Sequence, residues 1–472
     1  MKKRADALHA WSVVWPRQGS LSQCCNNEVQ KSQTNSTNEK HITIKTPLIG
    51  NLVAGRVSPS APTLSRPHAQ RSTLNALFGL GISLLAPATF AQTWHTVDDF
   101  QYVAGQYNQA SGLAVAPNGT LFASGTGSDT SGDRAVVRAS TDAGSTWFGP
   151  VDDYNYGPNY ETDYDGGMVA DSAGNLYVAG ATYYDGHWLV RRSTDGGVTW
   201  SLVEDFFPGG FETQPSGITA DAAGNVYVAG TVDNGTSAPL RWTVRKGVGG
   251  TSFSTVDTFS TTGPSQAQGI YAHPTAGIFA VGSATIPGTK SFWYTTAWVV
   301  RRSTDAGSTW STVDTFQLQS SAEAAAQGVG ADALGNLYVV GRARVPSGKG
   351  AKATFYNHWI VRKSANGGGS WSTVDTYQLS ASGNSQATSF VADSKGNLYV
   401  AGRVNTTYLG PNSWIVRENP GGTGSWSTVD NYQYVSAGDA QPFAMAANAS
   451  GNVFVAGVGS SSSGSHWLVR KK

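Results

Sequence analysis

From residue 92 onward the chain alternates short apolar runs with polar, glycine-rich turns, and no stretch carries the 3.6-residue period of an amphipathic helix. The runs are four to eight residues long, rich in β-branched and aromatic residues, and bounded by Gly, Asn, Asp or Ser, which is the pattern of β-strands. They recur in a fixed order. An aromatic residue at Trp94, Trp147, Trp200, Phe253, Trp310, Trp371 and Trp426 opens a segment of the type STVDTFQ, and successive positions lie 53, 53, 53, 57, 61 and 55 residues apart. A loop follows, then a small-residue run such as GITAD, then GNLYVAG or a variant, then a variable loop and a run of the type WIVR. Each element occurs seven times.

Four strands per unit in seven units predict an all-β fold, a seven-bladed β-propeller with four antiparallel strands in each blade. The strands are designated A (GITAD type), B (NLYVAG), C (WIVR) and D (WSTVDT). The body begins with a D run at Trp94 and ends at HWLVRKK with a C run. The N-terminal strand is therefore expected to complete the last blade and close the ring, Trp94–Phe100 pairing with Trp467–Arg470.

The turn between C and D reads STDAGSTW at 140–147 and again at 303–310, STDGGVTW at 193–200 and SANGGGSW at 364–371. This S-x-D-x-G-x-x-W pattern resembles the Asp-box of the BNR, sialidase-like propellers, and GNLYVAG is similar to the short repeat of bacterial SBBP-type propellers. The resemblance covers essentially all of 92–472 and implies that Asp142, Asp195 and Asp305 are structural. Turn chemistry agrees, since Ser and Asp side chains bond turn amides and Gly permits positive φ.

Every C run ends in Arg, from Arg138 to Arg470, and every D run carries an acid: Asp98, Asp152, Glu204, Asp257, Asp314, Asp375 and Asp430. An antiparallel C–D hairpin would set these diagonally on one face, giving an Arg–acid pair within each blade worth about 0.2–1 kcal/mol.

Residues 66–91 carry Arg66 and Arg71, an apolar segment from Leu74 to Leu85, and small residues before a cleavage site after Ala91. This is the pattern of a secretory signal peptide, and it places the protein outside the cytoplasm, secreted or periplasmic, with no stable membrane insertion after cleavage. Residues 1–65 are polar and without period, which reads as disorder ahead of a later true start. The net charge of +1 hides an asymmetry: residues 92–472 hold 22 Lys/Arg and 28 Asp/Glu. An acidic body argues against nucleic acid as partner. Both cysteines, Cys24 and Cys25, precede the body, which leaves it without a disulfide, thiol nucleophile or Cys metal site. No metal or cofactor is expected.

The A–B and C–D turns share one rim and hardly vary between units. The B–C and D–A loops form the other rim, vary in length, and are where binding residues are expected. Gln109, Gln214, Gln266, Gln386 and Gln441 stand at one equivalent position near the start of strand A, where Tyr164 and Ala325 occupy the other two units. They are either caps of loop backbone or a polar ring at the channel mouth that contacts a glycan or peptide. Tyr183, Tyr184, Arg342, Tyr356 and Arg403 are further rim candidates, with Asp185, His187, Arg344, His358 and Tyr408 nearby.

The resemblance raises glycoside hydrolysis as the alternative. The sialidase family uses three arginines, a Tyr–Glu pair, an Asp acid/base and an Arg-Ile-Pro motif ahead of its first Asp-box. Nothing before Ser140 matches that motif, Arg344-Val345-Pro346 lies in the fifth unit, and Arg342 and Arg403 have no evident third partner. A two-carboxylate hydrolase would draw on Glu161, Asp163, Asp165, Glu212 or Glu323. The expected function is non-catalytic recognition of a carbohydrate or protein partner at the variable rim.

Overall fold

A computed structural model describes residues 93–472 except 159, 184, 236–237, 287–294 and 349–353. The assigned leader and the segment before it lie outside the described residues; a compact unit spans Gln92–Lys472. It contains seven antiparallel sheets, each formed by strands A to D in order. Blade 1 is Asn108–Val115, Leu121–Asp129, Gly132–Ser140 and Phe148–Tyr154. Blade 7 is Ala440–Ala447, Val453–Ser461, Gly464–Lys471 and, from the other end of the chain, His95–Phe100. The two ends pair antiparallel, His95 opposite Lys471 and Phe100 opposite Trp467, so the ring is closed by its own termini. Strands A of successive blades contact one another around the axis and are innermost. Gly217 and Gly328 sit at these contacts. A Cβ on Gly217 would lie 3.0 Å from the Gly269 backbone, and one on Gly328 would press on the Thr388 carbonyl oxygen at 2.7 Å.

Strand C packs its two faces against two different blades. On one face its Trp enters the next blade. Trp188, Trp242 and Trp298 abut Gly230, Gly282 and Gly341, the glycine of VAG, AVG and VVG, where an added Cβ would meet the indole at 2.9, 2.8 and 2.8 Å. Trp359 and Trp414 meet Gly402 and Gly457 in the same way, and all five indoles are fully buried. The repeated glycine is thus a socket for the repeated tryptophan.

On its other face strand C sends its Arg to the preceding blade. The pairs are Arg138–Asp98, Arg191–Asp152, Arg245–Glu204, Arg301–Asp257, Arg362–Asp314, Arg417–Asp375 and Arg470–Asp430. Each guanidinium also lies about 4 Å over the D-strand aromatic ring that follows the acid, for example 4.0 Å for Arg138 over Phe100 and 3.9 Å for Arg470 over Tyr432. This corrects the pairing expected within each blade. A β-bulge in strand D sets the acid opposite the residue before the Arg, as Asp257 faces Val244 while Arg245 faces Thr255. Arg and acid therefore leave opposite faces of their own sheet and meet across blades.

The pattern breaks once. Blade 1 has Ala135 where six blades carry an aromatic residue or its equivalent socket filler, and blade 2 has a divided strand A, Thr162–Asp163 and Met168–Ala170. Between those pieces Tyr164 turns inward and fills the space. Its ring would touch a Cβ on Gly180 at 2.8 Å, the contact that tryptophan makes elsewhere, and it is fully buried in one cluster with Ala135.

Candidate functional site: the variable rim

At the invariant rim, each Asp-box closes on itself. Asp142 accepts from the Ser140 hydroxyl (2.9 Å), the Thr146 amide (2.8 Å) and the Thr146 hydroxyl (2.6 Å), while the Gly144 amide donates to Ser140 Oγ. Asp195 and Asp305 repeat these bonds, and Asn366 keeps the geometry with Ser370. The threonine hydroxyl first, and the threonine amide next, hold all three Asp carboxyls down to about 2. Both oxygens of each carboxylate are occupied within its own turn.

At the opposite rim the equivalent positions of strand A face a fixed position of strand B, the residue just after the socket glycine. Gln109 faces Thr126, Gln214 faces Thr231, Gln266 faces Ser283, Ala325 faces Arg342, Gln386 faces Arg403 and Gln441 faces Val458. Gln109 bonds Ser111 (2.9 Å) and Asp165 (3.3 Å), and Asp165 also accepts from Ser111 Oγ (2.8 Å). Gln214 is exposed and Gln266 half-buried. Tyr164 does not join them. It is buried, and its hydroxyl donates to Asp152 (2.6 Å) and accepts from Arg191 (3.2 Å), because it occupies the socket left by Ala135.

Arg342 and Arg403 come together with more of the rim than sequence reasoning gathered. Arg403 donates to the amide oxygens of Gln441 (2.7 Å) and Gln386 (3.5 Å). Gln441 donates to Asp439, which accepts from Asn412 as well (2.7 and 2.9 Å). Arg342 donates to Asn357 (3.2 Å), and its nearest carboxylate oxygen, on Glu323, is 4.0 Å away. Glu323 is closer to Arg344, at 3.0 Å. Burial lowers Arg403 to about 9, helped by the positive charge of Arg342 and opposed by Asp439. Burial likewise lowers Arg342, against the pull of Glu323 and with a push from Arg344. The shared position after the glycine, Thr, Ala, Thr, Ser, Arg, Arg and Val around the ring, was the available sequence signal for this pair.

Tyr356 is half-buried and meets exposed Tyr408 edge to face at 6.3 Å. Tyr183 is exposed, and Tyr184 lies outside the described residues, as do parts of the long B–C loops of blades 4 and 5. His187 is stacked on Phe207 (4.6 Å) with Nδ1 on Asp205 (2.7 Å), which also accepts from Tyr156 (2.8 Å). His466, Asp99 and Tyr434 repeat this triplet in blade 7.

Of the acids considered for hydrolysis, Asp163 is buried, Asp165 is bonded, and Glu323 is ion-paired. Glu212 is different. It stands on the exposed D–A loop entering blade 3, and its carboxyl is raised by desolvation first and by the charge of Asp233 second. Among the described residues no group of His, Cys, Asp and Glu is placed to hold a metal, and no helix is long and apolar enough to cross a membrane.

The fold and rim define a seven-bladed β-propeller with one asymmetric, cationic sector. No known family and no curated protein matches the sequence. Among solved structures it is similar to a protein of unknown function from Dyadobacter fermentans, at 12% identity and TM-score 0.45, covering 81% of this chain and 99% of that one. It is also similar to an α-L-arabinanase of Penicillium chrysogenum complexed with arabinobiose, at 13% identity and TM-score 0.44, covering 80% and 98%. A polysaccharide lyase, ulvan lyase, matches at 11% identity and TM-score 0.44, covering 63% and 78%. At such identities and scores the likeness carries no information on activity.

Proposed function

We propose that the protein is an exported, non-catalytic binding propeller that recognises a carbohydrate or a protein partner at its variable rim, over the channel mouth. The observation that carries this reading is the state of the mouth's charged groups. Asp165, Glu323 and Asp439 are each engaged by neighbouring side chains, and the groups between them are amides, tyrosines and guanidinium groups. Such groups fix the orientation of a polar ligand and move no protons. A glycan array and a panel of hydrolysis assays on the same purified protein test it. Retained glycan or protein binding without turnover is the expected result; turnover of a bound glycan refutes it.

Glu212 favours a second reading, hydrolysis. A carboxyl raised by desolvation first, and by the charge of Asp233 second, has the property asked of a general acid. If this reading holds, Glu212→Gln abolishes turnover while leaving binding intact.

A further inference from the structure

Three loops of the variable rim meet over blades 2 and 3 and bring aromatic rings together. Tyr156 and Tyr160 come from the D–A loop entering blade 2, His187 from the B–C loop of blade 2, and Phe207 and Phe211 from the D–A loop entering blade 3. Tyr156 lies 4.8 Å from Tyr160 and 4.7 Å from His187, and His187 stacks on Phe207 at 4.6 Å. The row of rings ends in solvent: Phe207 is 53% and Phe211 72% exposed. The loops are braced against one another. The Tyr183 amide donates to the Glu161 carbonyl oxygen (2.9 Å), Gly186 sits so close to Gly210 that a Cβ would overlap its carbonyl oxygen, and Thr213 Oγ1 donates to the Asp233 carbonyl oxygen (3.1 Å). Two phenyl rings held out on a braced loop form a surface suited to a partner.

The charge around these rings has one sign. Residues 139–240 contain 14 Asp/Glu and two Lys/Arg. Both cations are engaged elsewhere, Arg191 with Asp152 and Arg192 over the Tyr177 ring. Arg134, paired with Asp153, and Arg241, which opens strand C of blade 3, border the sector. Glu161, Asp185, Glu212 and Asp233 stand on the loops that carry or flank the rings. The charge of Asp233 acts on Glu212, and no cation or hydrogen bond offsets it.

The same stretch of chain shows what completes such an arrangement. Arg245 pairs with Glu204 and lies 3.9 Å over the ring of Phe206, two residues on. An acid beside an aromatic ring holds one guanidinium, and the fold repeats this between blades seven times. Phe207, Phe211, Glu212 and Asp233 offer the same two kinds of group to solvent, and among the described residues no Lys or Arg lies over either phenyl ring.

We propose that the rim over blades 2 and 3 docks an arginine-bearing segment of a partner protein, whose guanidinium groups lie on Phe207 and Phe211 and meet Glu212 and Asp233. An arginine segment is favoured over a cationic saccharide because the planar guanidinium is the cation this fold already sets on ring-and-carboxylate sites, and it is more weakly hydrated than an ammonium group. This inference rests on the binding reading above and commits it to a basic protein partner.

The test is titration of the purified chain, followed by fluorescence anisotropy, with a labelled peptide of alternating glycine and arginine. The comparison arms are the same peptide with citrulline at every arginine and an oligomer of glucosamine, and a glycan array is run on the same preparation. The arginine peptide is expected to bind, and the citrulline peptide, which keeps the shape and loses the charge, at least about tenfold more weakly. Glu212→Gln should lower affinity about tenfold and Phe211→Ala about two- to fivefold. Both side chains are exposed, so neither variant disturbs the core. Asp142→Asn removes a charge of the same sign from the opposite rim and should leave affinity unchanged. Equal binding of the arginine and citrulline peptides, or an equal loss in Asp142→Asn and Glu212→Gln, overturns this inference. Tighter binding of the glucosamine oligomer overturns the assignment to a protein. If the arginine peptide does not bind while a glycan on the array does, this inference falls and the binding reading stands. Absence of binding to every glycan and protein tested overturns both.

Discussion

Tyr164 and Ala135 form a matched exception, and their coupling can be measured. In blades 2 to 6 a strand-C tryptophan fills the socket glycine of the next blade; from blade 1, Ala135 leaves that space empty and Tyr164 fills it from strand A of blade 2. Tyr164→Ala removes a fully buried ring, which costs about 3–5 kcal/mol for comparable aromatic truncations. Tyr164→Phe keeps the ring and removes a hydroxyl bonded to Asp152 and Arg191. Because Asp152 retains Arg191 at 2.6 Å, the loss should stay near about 1–2 kcal/mol. Ala135→Trp alone forces an indole into an occupied socket and should destabilise by about 1–3 kcal/mol or more. The decisive variant is Ala135→Trp with Tyr164→Gln, which rebuilds the arrangement of the other blades. Urea unfolding followed by far-ultraviolet circular dichroism should show this double variant to be more stable than Tyr164→Gln alone. If the two substitutions add without coupling, or the double variant is the least stable of the set, the two residues do not share a socket and the argument fails.

Two further predictions follow from the charged groups. Arg138 and Asp98 staple blade 1 to the N-terminal strand of blade 7, so Arg138→Met should cost about 3–5 kcal/mol by stranding a buried carboxylate. Burial already holds the Asp98 carboxyl above its usual value; a group raised in the folded state binds protons more tightly there than when unfolded, so the penalty should shrink as pH falls through that raised value, as read from thermal melts at several pH values. The Asp-box carboxyls have the opposite sign. Asp142, Asp195 and Asp305 are depressed to about 2, so their stabilisation is complete above the unfolded value near about 4 and is lost as pH falls towards 2. Replacing all three with Asn, as Asn366 already stands in blade 5, should flatten the melting temperature between those limits, and an unchanged slope would count against the assignment.

Repetition made the architecture readable before any coordinates, because a residue type required by every blade appears seven times. The glycine of strand B and the Arg of strand C recur in all seven blades, the strand-C tryptophan in six, and the order of the runs at the two ends of 92–472 gave the pairing of the N-terminal strand. The direction of the Arg–acid pairs was not readable, since it depends on a bulge that flips the acid to the other face of strand D, and a bulge leaves no mark in residue spacing. Tyr164 was misplaced for a related reason. Aligned by position it falls among the glutamines, and only the missing aromatic at Ala135, in a different blade, shows where its ring belongs. Arg342 and Arg403 were legible as candidates, but Glu323, Asn384 and Asp439, all two residues ahead of the strand-A position, were not connected to them until the strands were paired.

The same geometry explains why one sector of the rim is free to differ. Each strand C is held by its tryptophan on one side and its arginine on the other, and both contacts lie below the level of the B–C and D–A loops. The socket glycine is the last position of strand B under that constraint. Gly341 receives Trp298, and the very next residue is Arg342; Gly402 receives Trp359, and the next is Arg403. Beyond the glycine, Thr231 and Ser283 fill the position in blades 3 and 4, where Gly230 and Gly282 receive Trp188 and Trp242 in the same way. A charge at that point is coupled to its neighbours at the mouth: Arg342 lowers Arg403, Arg344 lowers Arg342, and Arg403 reaches Gln441 of the next blade. The seven interblade Arg–acid pairs are made by other residues, on strands C and D, so the residue after the socket glycine differs from blade to blade while those pairs recur in all seven.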